Sequence, residues 1–230
     1  MNSRDVLGEA NALRERGSFL QALIVGDEAL LGFAEDKDLL GMAETYAARF
    51  ISLKHLYLDS QEKAWALLAH HAAQAGVALA KESHQPEALA VPLMNLGKSY
   101  ELLGEYNQAS DVYAQAVESQ QLHPAEFHNR PAVLLDMQIH QAGAEALSGD
   151  STAVDRIVDL LEQLAKTDEP DYNKEAWLSG GYMKVAFLLW KTDQVKAEEF
   201  LNKARNIIEA NSNLKLRKKQ LAQLEAKMNT

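Results

Sequence analysis

Ala22, Ala64, Ala109, Ala153 and Ala197 stand 42, 45, 44 and 44 residues apart, and each opens the same short pattern. Four residues on come Gly26, Leu68, Tyr113, Ile157 and Leu201; seven on come Ala29, His71, Ala116, Leu160 and Ala204. Positions i, i+4 and i+7 share one face of an α-helix, so the pattern predicts a one-sided helix copied five times. A unit of this kind cannot bury its apolar face alone, and the copies must stack on their neighbours. The composition agrees. Gly and Pro number only 12 and 5 in 230 residues, and the common residues lose little entropy in a helix.

The segment Leu93 to Ala116 reads as two helices joined at Gly104. Gly97 and Ala109 are small while Tyr100, Tyr106 and Tyr113 are large, the pairing that lets two helices approach closely. Leu96-Gly97, Tyr100, Gly104, Tyr106, Ala109, Tyr113 and Ala116 follow in order the pattern of the tetratricopeptide repeat (TPR), and the segment resembles that family. Leu93 replaces the opening tryptophan, and Pro124 falls beyond the usual closing position. Gly17 and Phe19 keep the turn glycine and following aromatic of the first unit. The resemblance implies a right-handed, all-α solenoid of about five antiparallel helical hairpins plus a C-terminal capping helix. The repeat period near 44 residues exceeds the standard 34, as in long-helix relatives of the family.

The expected helices are 3–16, 18–33, 36–57, 60–83, 86–103, 106–120, 125–148, 151–167, 171–191, 194–210 and 213–228. They group as units 3–33, 36–83, 86–120, 125–167 and 171–210 of one continuous domain, 1–230. Gly17-Ser18, Asp59-Ser60, Asp150-Ser151 and Thr192-Asp193 offer N-caps, and Asp59 with Glu62 has capping-box spacing. Pro86, Pro124 and Pro170 suit first turns. Pro92 and Pro131 either kink their helices or delay the start. Leu214, Leu221, Leu224 and Met228 give the last helix one apolar edge, suited to closing the end of a stack.

The net charge of −10 argues against a dedicated nucleic-acid or anionic-membrane binder. Residues 212–230 go the other way, with Lys215, Arg217, Lys218, Lys219 and Lys227 against Glu225 alone. A solvated outer face is the default for that basic helix. No basic-then-apolar leader opens the chain and no run reaches the ~18 apolar residues of a membrane span. The absence of cysteine excludes disulfides and thiolate chemistry and fits a cytoplasmic protein. No nucleotide, zinc-protease or hydrolase signature is present. Asp136 and His140, four apart, make half a metal site with no second half, while Trp65, Trp177 and Trp190 sit in apolar helical patterns as core residues do. The expectation is therefore no catalytic residue, no cofactor and no metal.

What remains is a protein- or peptide-binding scaffold, and the family resemblance implies that its first helices line the binding groove. Counted back from the alanine ladder, the groove positions are Tyr46, Arg49 and Tyr57, then Met94, Lys98 and Glu101, then Gln138 and Glu145, then Tyr182 and Trp190. Aromatic and Arg side chains are the types that dominate binding hot spots. The carboxylate clamp of one TPR subset is absent as a set, because its positions read Leu7, Ala10 and Asn11, then Met94, Gly97 and Lys98. A peptide-sensing regulator of the bacterial or phage type is the alternative within this class. With repeats beginning in the first ten residues, its output would pass through the repeat surface. An enzyme or metal protein on a helical-repeat frame is the alternative from another class.

Overall fold

The computed structural model describes residues 2–228, and these form eleven α-helices, two short 3-10 turns and no strand. The chain divides into two compact units, the first running to Ala125 and the second beginning at Glu126.

The first unit contains three helical hairpins. These are α1 (Ser3–Glu15) with α2 (Phe19–Glu35), α3 (Leu39–Ser60) with α4 (Lys63–Glu82), and α5 (Ala90–Leu103) with α6 (Tyr106–Leu122). Gly104 turns the third hairpin at φ +79°, a left-handed conformation that costs glycine nothing. Its N–H and that of Glu105 close back on Glu101 and Tyr100 at 3.1 and 3.0 Å, satisfying the last carbonyls of α5. Asp38 caps α3 by accepting from the Gly41 N–H at 2.8 Å. Gly97 and Tyr113 meet as small and large partners, with the tyrosine ring in the space a Cβ at 97 would occupy.

The second unit contains α7 (Pro131–Leu147) with α8 (Ala153–Ala165), α9 (Asp171–Leu189) with α10 (Gln194–Ala210), and α11 (Lys215–Met228). One apolar cluster runs through all five, with Ile139, Ile157, Leu161, Leu164, Val185, Leu201 and Ala204 at its centre. Burying each of the large aliphatics stabilises the unit by about 1.5–3 kcal/mol. Leu214, Leu221 and Met228 join this cluster from the last segment, so the final helix does close the apolar end of its hairpin. Glu169 is buried just before α9. It is held by Arg130 and accepts from the Asn173 side chain at 2.8 Å, which compensates the cost of taking a carboxylate out of water.

The structure departs from the sequence expectations at several points. Helix α3 continues to Ser60, so Asp59 and Ser60 end a helix rather than cap one. The turn is made by Gln61 at φ +57°, and Glu62 precedes α4 without a side-chain cap. The alanine ladder is buried at Ala22, Ala109, Ala153 and Ala197, but Ala64 is exposed. Ala66, 1% exposed, takes its place, with His70 and Ala73 following instead of Leu68 and His71. The prolines delay helices and do not kink them. A 3-10 turn at Pro86–Ala88 precedes α5, which starts at Ala90 with Pro92 in its first turn. A second turn at Glu126–His128 precedes α7, which starts at Pro131 itself, where the missing N–H leaves no bond unmade.

Candidate functional site

The expected groove residues lie on α3, α5, α7 and α9, with Trp190 directly after α9. Arg49 faces α2 and pairs with Asp27, beside a narrow cleft lined by Ala22, Gly26, Thr45 and Ser52. Tyr46 is half-buried, with its Cβ against Gly76 of α4. Tyr57 is half-buried on α3, and Lys98 and Glu101 are half-buried on α5. Met94 is 4% exposed and presents no surface. Tyr182 turns toward α10, stacking on Phe200 at 6.0 Å with the Lys203 ammonium 5.7 Å from its ring. Burial first, and Glu162 second, raise its phenol pKa above the ordinary value. Trp190 lines a cleft of about 440 Å³ with Arg205 and Glu225, whose ion pair spans 2.6 Å from α10 to α11. Trp65, Trp177 and Trp190 all pack against apolar clusters.

Gln138 and Glu145 come together. They line a cleft of about 340 Å³ between α7 and α8 with Gln141, Arg156, Asp159 and Gln163. Arg156 donates to both Glu145 and Asp150 at 2.7 Å, and Gln141 donates to Glu145 at 3.0 Å. Asp150 accepts from the Thr152 hydroxyl at 2.7 Å and its N–H at 2.9 Å. Those bonds, more than Arg156, hold its carboxyl below the ordinary range. The network ties the α7–α8 corner together, so these side chains are already committed to one another.

A different face of the second unit gathers cations over small residues. Asp136, His140 and Gly143 recur on α7 at i, i+4 and i+7, which places them on one side, away from Gln138 and Glu145. Across from them, Lys184 of α9 lies along Gly143, where a Cβ would stand 2.8 Å from its Nζ and 3.1 Å from its Cε. The same Nζ is 3.4 Å from His140 Nδ1. One turn back on α9, Gly180 lies beneath the guanidinium of Arg217 from α11, with a Cβ there only 2.9 Å from Nη2. Two glycines thus floor a surface shared by three helices, and each admits a long cationic side chain that any larger residue would displace.

The electrostatics follow from that packing. Arg217 is half-buried, whereas Lys215, Lys218, Lys219 and Lys227 are exposed. The basic helix is therefore not only a solvated face. Burial lowers the affinity of Arg217 for its proton, and Asp136 opposes the shift. His140 meets the Lys184 ammonium on this face. Among the described residues no three His, Asp or Glu side chains cluster as metal ligands, and no helix is long and apolar enough to cross a membrane. Asp136 and His140 stand out in the sequence, and Arg217 does so as part of the basic C-terminal run, whereas Gly143, Gly180 and Lys184 belong to no motif there. The one available signal is the spacing of glycines along first helices.

No protein-family model matches the chain, and no curated protein matches it. Solved structures do. The nearly identical TPR-like repeats assigned to a kinesin light chain of Podosopora anserina superpose with a TM-score of 0.58 at 18% identity, over 89% of this chain and 93% of that one. A second crystal structure of those repeats gives 0.60 at 17%, with the same coverage. At such identity the likeness concerns architecture: the chain has a TPR-like helical-repeat fold.

Proposed function

We propose that the chain is a non-catalytic scaffold that binds a protein or peptide segment. In its second unit the binding surface is the α7–α9–α11 face around His140, Gly143, Gly180 and Lys184. The observation behind this reading is the glycine floor under Lys184 and Arg217. It sits on a frame fixed by a continuous apolar core. Stacked helical hairpins present such first-helix faces to extended or helical segments. A peptide-sensing regulator is a narrower form of the same reading, and short peptides of high affinity would support it.

The test is selection from a displayed library of 12-residue peptides on the purified chain, followed by binding titrations. The expected result is at least one peptide whose Kd rises about tenfold in the His140→Ala, Lys184→Ala double variant, with helicity unchanged, the scale of losing one or two charge-assisted hydrogen bonds. An empty selection, or equal affinity for the variant, would contradict the reading.

A further inference from the structure

We propose that the outer face of α2, in the first unit, is a docking surface for a basic amphipathic helix of another protein. It is separate from the second-unit face and does not rest on it. The core side of α2 is complete without this face, with Ala22, Val25, Ala29 and Phe33 buried. On the opposite side Leu20, Ile24 and Leu31 are 58, 56 and 67% exposed. Their spacing puts them in one narrow stripe along three turns, about 16 Å long. The repeat supplies an internal comparison. Counted from the alanine ladder, the same three positions read Asn107, Asp111 and Glu118 on α6, and Ser151, Asp155 and Glu162 in the α8 repeat, all exposed. Counted from Ala66 on α4 and from Ala197 on α10, one large aliphatic remains in each, Leu68 and Val195. Single exposed aliphatics are ordinary. Three in register on α2, where other second helices are polar, exceed what folding requires.

Charge decides the occupant. From Phe19 to Glu35 the helix carries Asp27, Glu28 and Glu35 and no Lys, Arg or His. Asp27 is paired with Arg49. Glu28 and Glu35 are exposed along one flank of the stripe and, among the described residues, make no hydrogen bond or ion pair. Across from them on α1, Arg4 is taken by Asp38 and Glu44, and Arg14 by Glu15. Arg16 and Lys37 lie beyond the two ends of α2. A helix laid along the stripe meets it with aliphatic side chains at i, i+4 and i+7, and Lys or Arg on its flank meets Glu28 and Glu35. Two copies of this chain would set those carboxylates against each other. Three side chains also fall far short of the roughly 800 Å² per partner of a stable dimer. An anionic lipid surface would repel the same flank.

The probe is a fluorescein-labelled peptide of about 18 residues, five helical turns, in which Leu and Lys are patterned to give one apolar face. Anisotropy on the full chain at ~0.15 M salt compares it with a scrambled peptide of the same composition and with a Leu–Glu peptide of the same pattern. The Leu–Lys helix is expected to bind at least about tenfold tighter than either, and the Ile24→Gln, Leu31→Gln double variant to lose about that factor. The Glu28→Lys, Glu35→Lys variant is expected to reverse the preference, so that the Leu–Glu helix binds tighter, a gain that misfolding cannot mimic. Equal binding of the scrambled peptide, undiminished binding by the Ile24→Gln, Leu31→Gln variant, or an unreversed preference would overturn the proposal. So would a chain that ignores the peptide and instead dimerises, or binds phosphatidylcholine vesicles, through Ile24 and Leu31. Loss of Leu–Lys binding in the His140→Ala, Lys184→Ala variant would assign the peptide to the second-unit face and overturn the α2 site alone.

Discussion

The ring of Tyr113 occupies the space above Gly97: a Cβ at 97 would stand 2.5 Å from Tyr113 Cε1 and 2.6 Å from Cδ1. Tyr113 is fully buried, so its ring has nowhere to retreat. Gly97→Ala is therefore expected to destabilise the first unit by about 1–3 kcal/mol, despite the better helix propensity of alanine. Urea unfolding followed by circular dichroism checks this, and an unchanged or higher midpoint would show that the ring can move.

The alanine ladder gives a paired comparison. Ala153 is 0% exposed at the start of α8, while Ala64 faces solvent on α4. Ala153→Leu should cost about 1–3 kcal/mol by overpacking, and Ala64→Leu should stay within about 0.5 kcal/mol of wild type. Thermal melts of the two variants decide it.

Helix α11 should be needed for a closed second unit. Leu214, Leu221 and Met228 are buried in the cluster that also holds Leu201 and Ile208. Truncation after Ala210 strips that cover, and the exposed apolar end is expected to promote association. Light scattering of the truncated chain checks this. A monodisperse truncation melting at the wild-type temperature would make α11 an appendage.

Stability should fall on mild acidification. His70 sits on α4 with Nδ1 2.9 Å from the Ser99 hydroxyl, packed edge-on to Tyr100 at 4.8 Å. Burial first, and His71 second, lower its pKa from the ordinary 6.5. The unfolded chain then binds the proton more readily than the folded one. The contribution is whole above about pH 6.5 and is lost as the pH drops below it. The Tm is expected to decrease between pH 7.5 and 5.5, and less so in His70→Gln. Equal slopes for the two proteins would assign the effect elsewhere.

The architecture is legible in the sequence because packing repeats. A small residue must recur wherever two helices touch, and Gly97, Ala109, Tyr113 and Ala116 carry that requirement openly. The register slips at Ala64 because α4 is alanine-rich: Ala64, Ala66 and Ala69 offer competing helical faces, and only burial separates them. The N-cap residue types at Asp59 and Ser60 favour the wrong choice, since the same types also close helices. The face on α7 and α9 is harder to find. Counting back from a second helix to a first one crosses turns of unequal length; Gln138 and Glu145, which that count marks, line the α7–α8 cleft, where Gln141 and Arg156 donate to Glu145. Arg217 has no periodic cue at all. It reaches Gly180 from 37 positions along the chain, and only the folded hairpin brings the two together.

Ligand binding by the second unit on its α7–α9–α11 face is tested most directly by amide hydrogen exchange of the full chain, with and without a selected peptide at saturation. Binding there requires slower exchange in α9 and α11 around Gly180 and Arg217 and in α7 around His140, with the helices of the first unit unchanged. Protection confined instead to α2, where Leu20, Ile24 and Leu31 are exposed, or to the Gln138–Arg156 cleft, would contradict it.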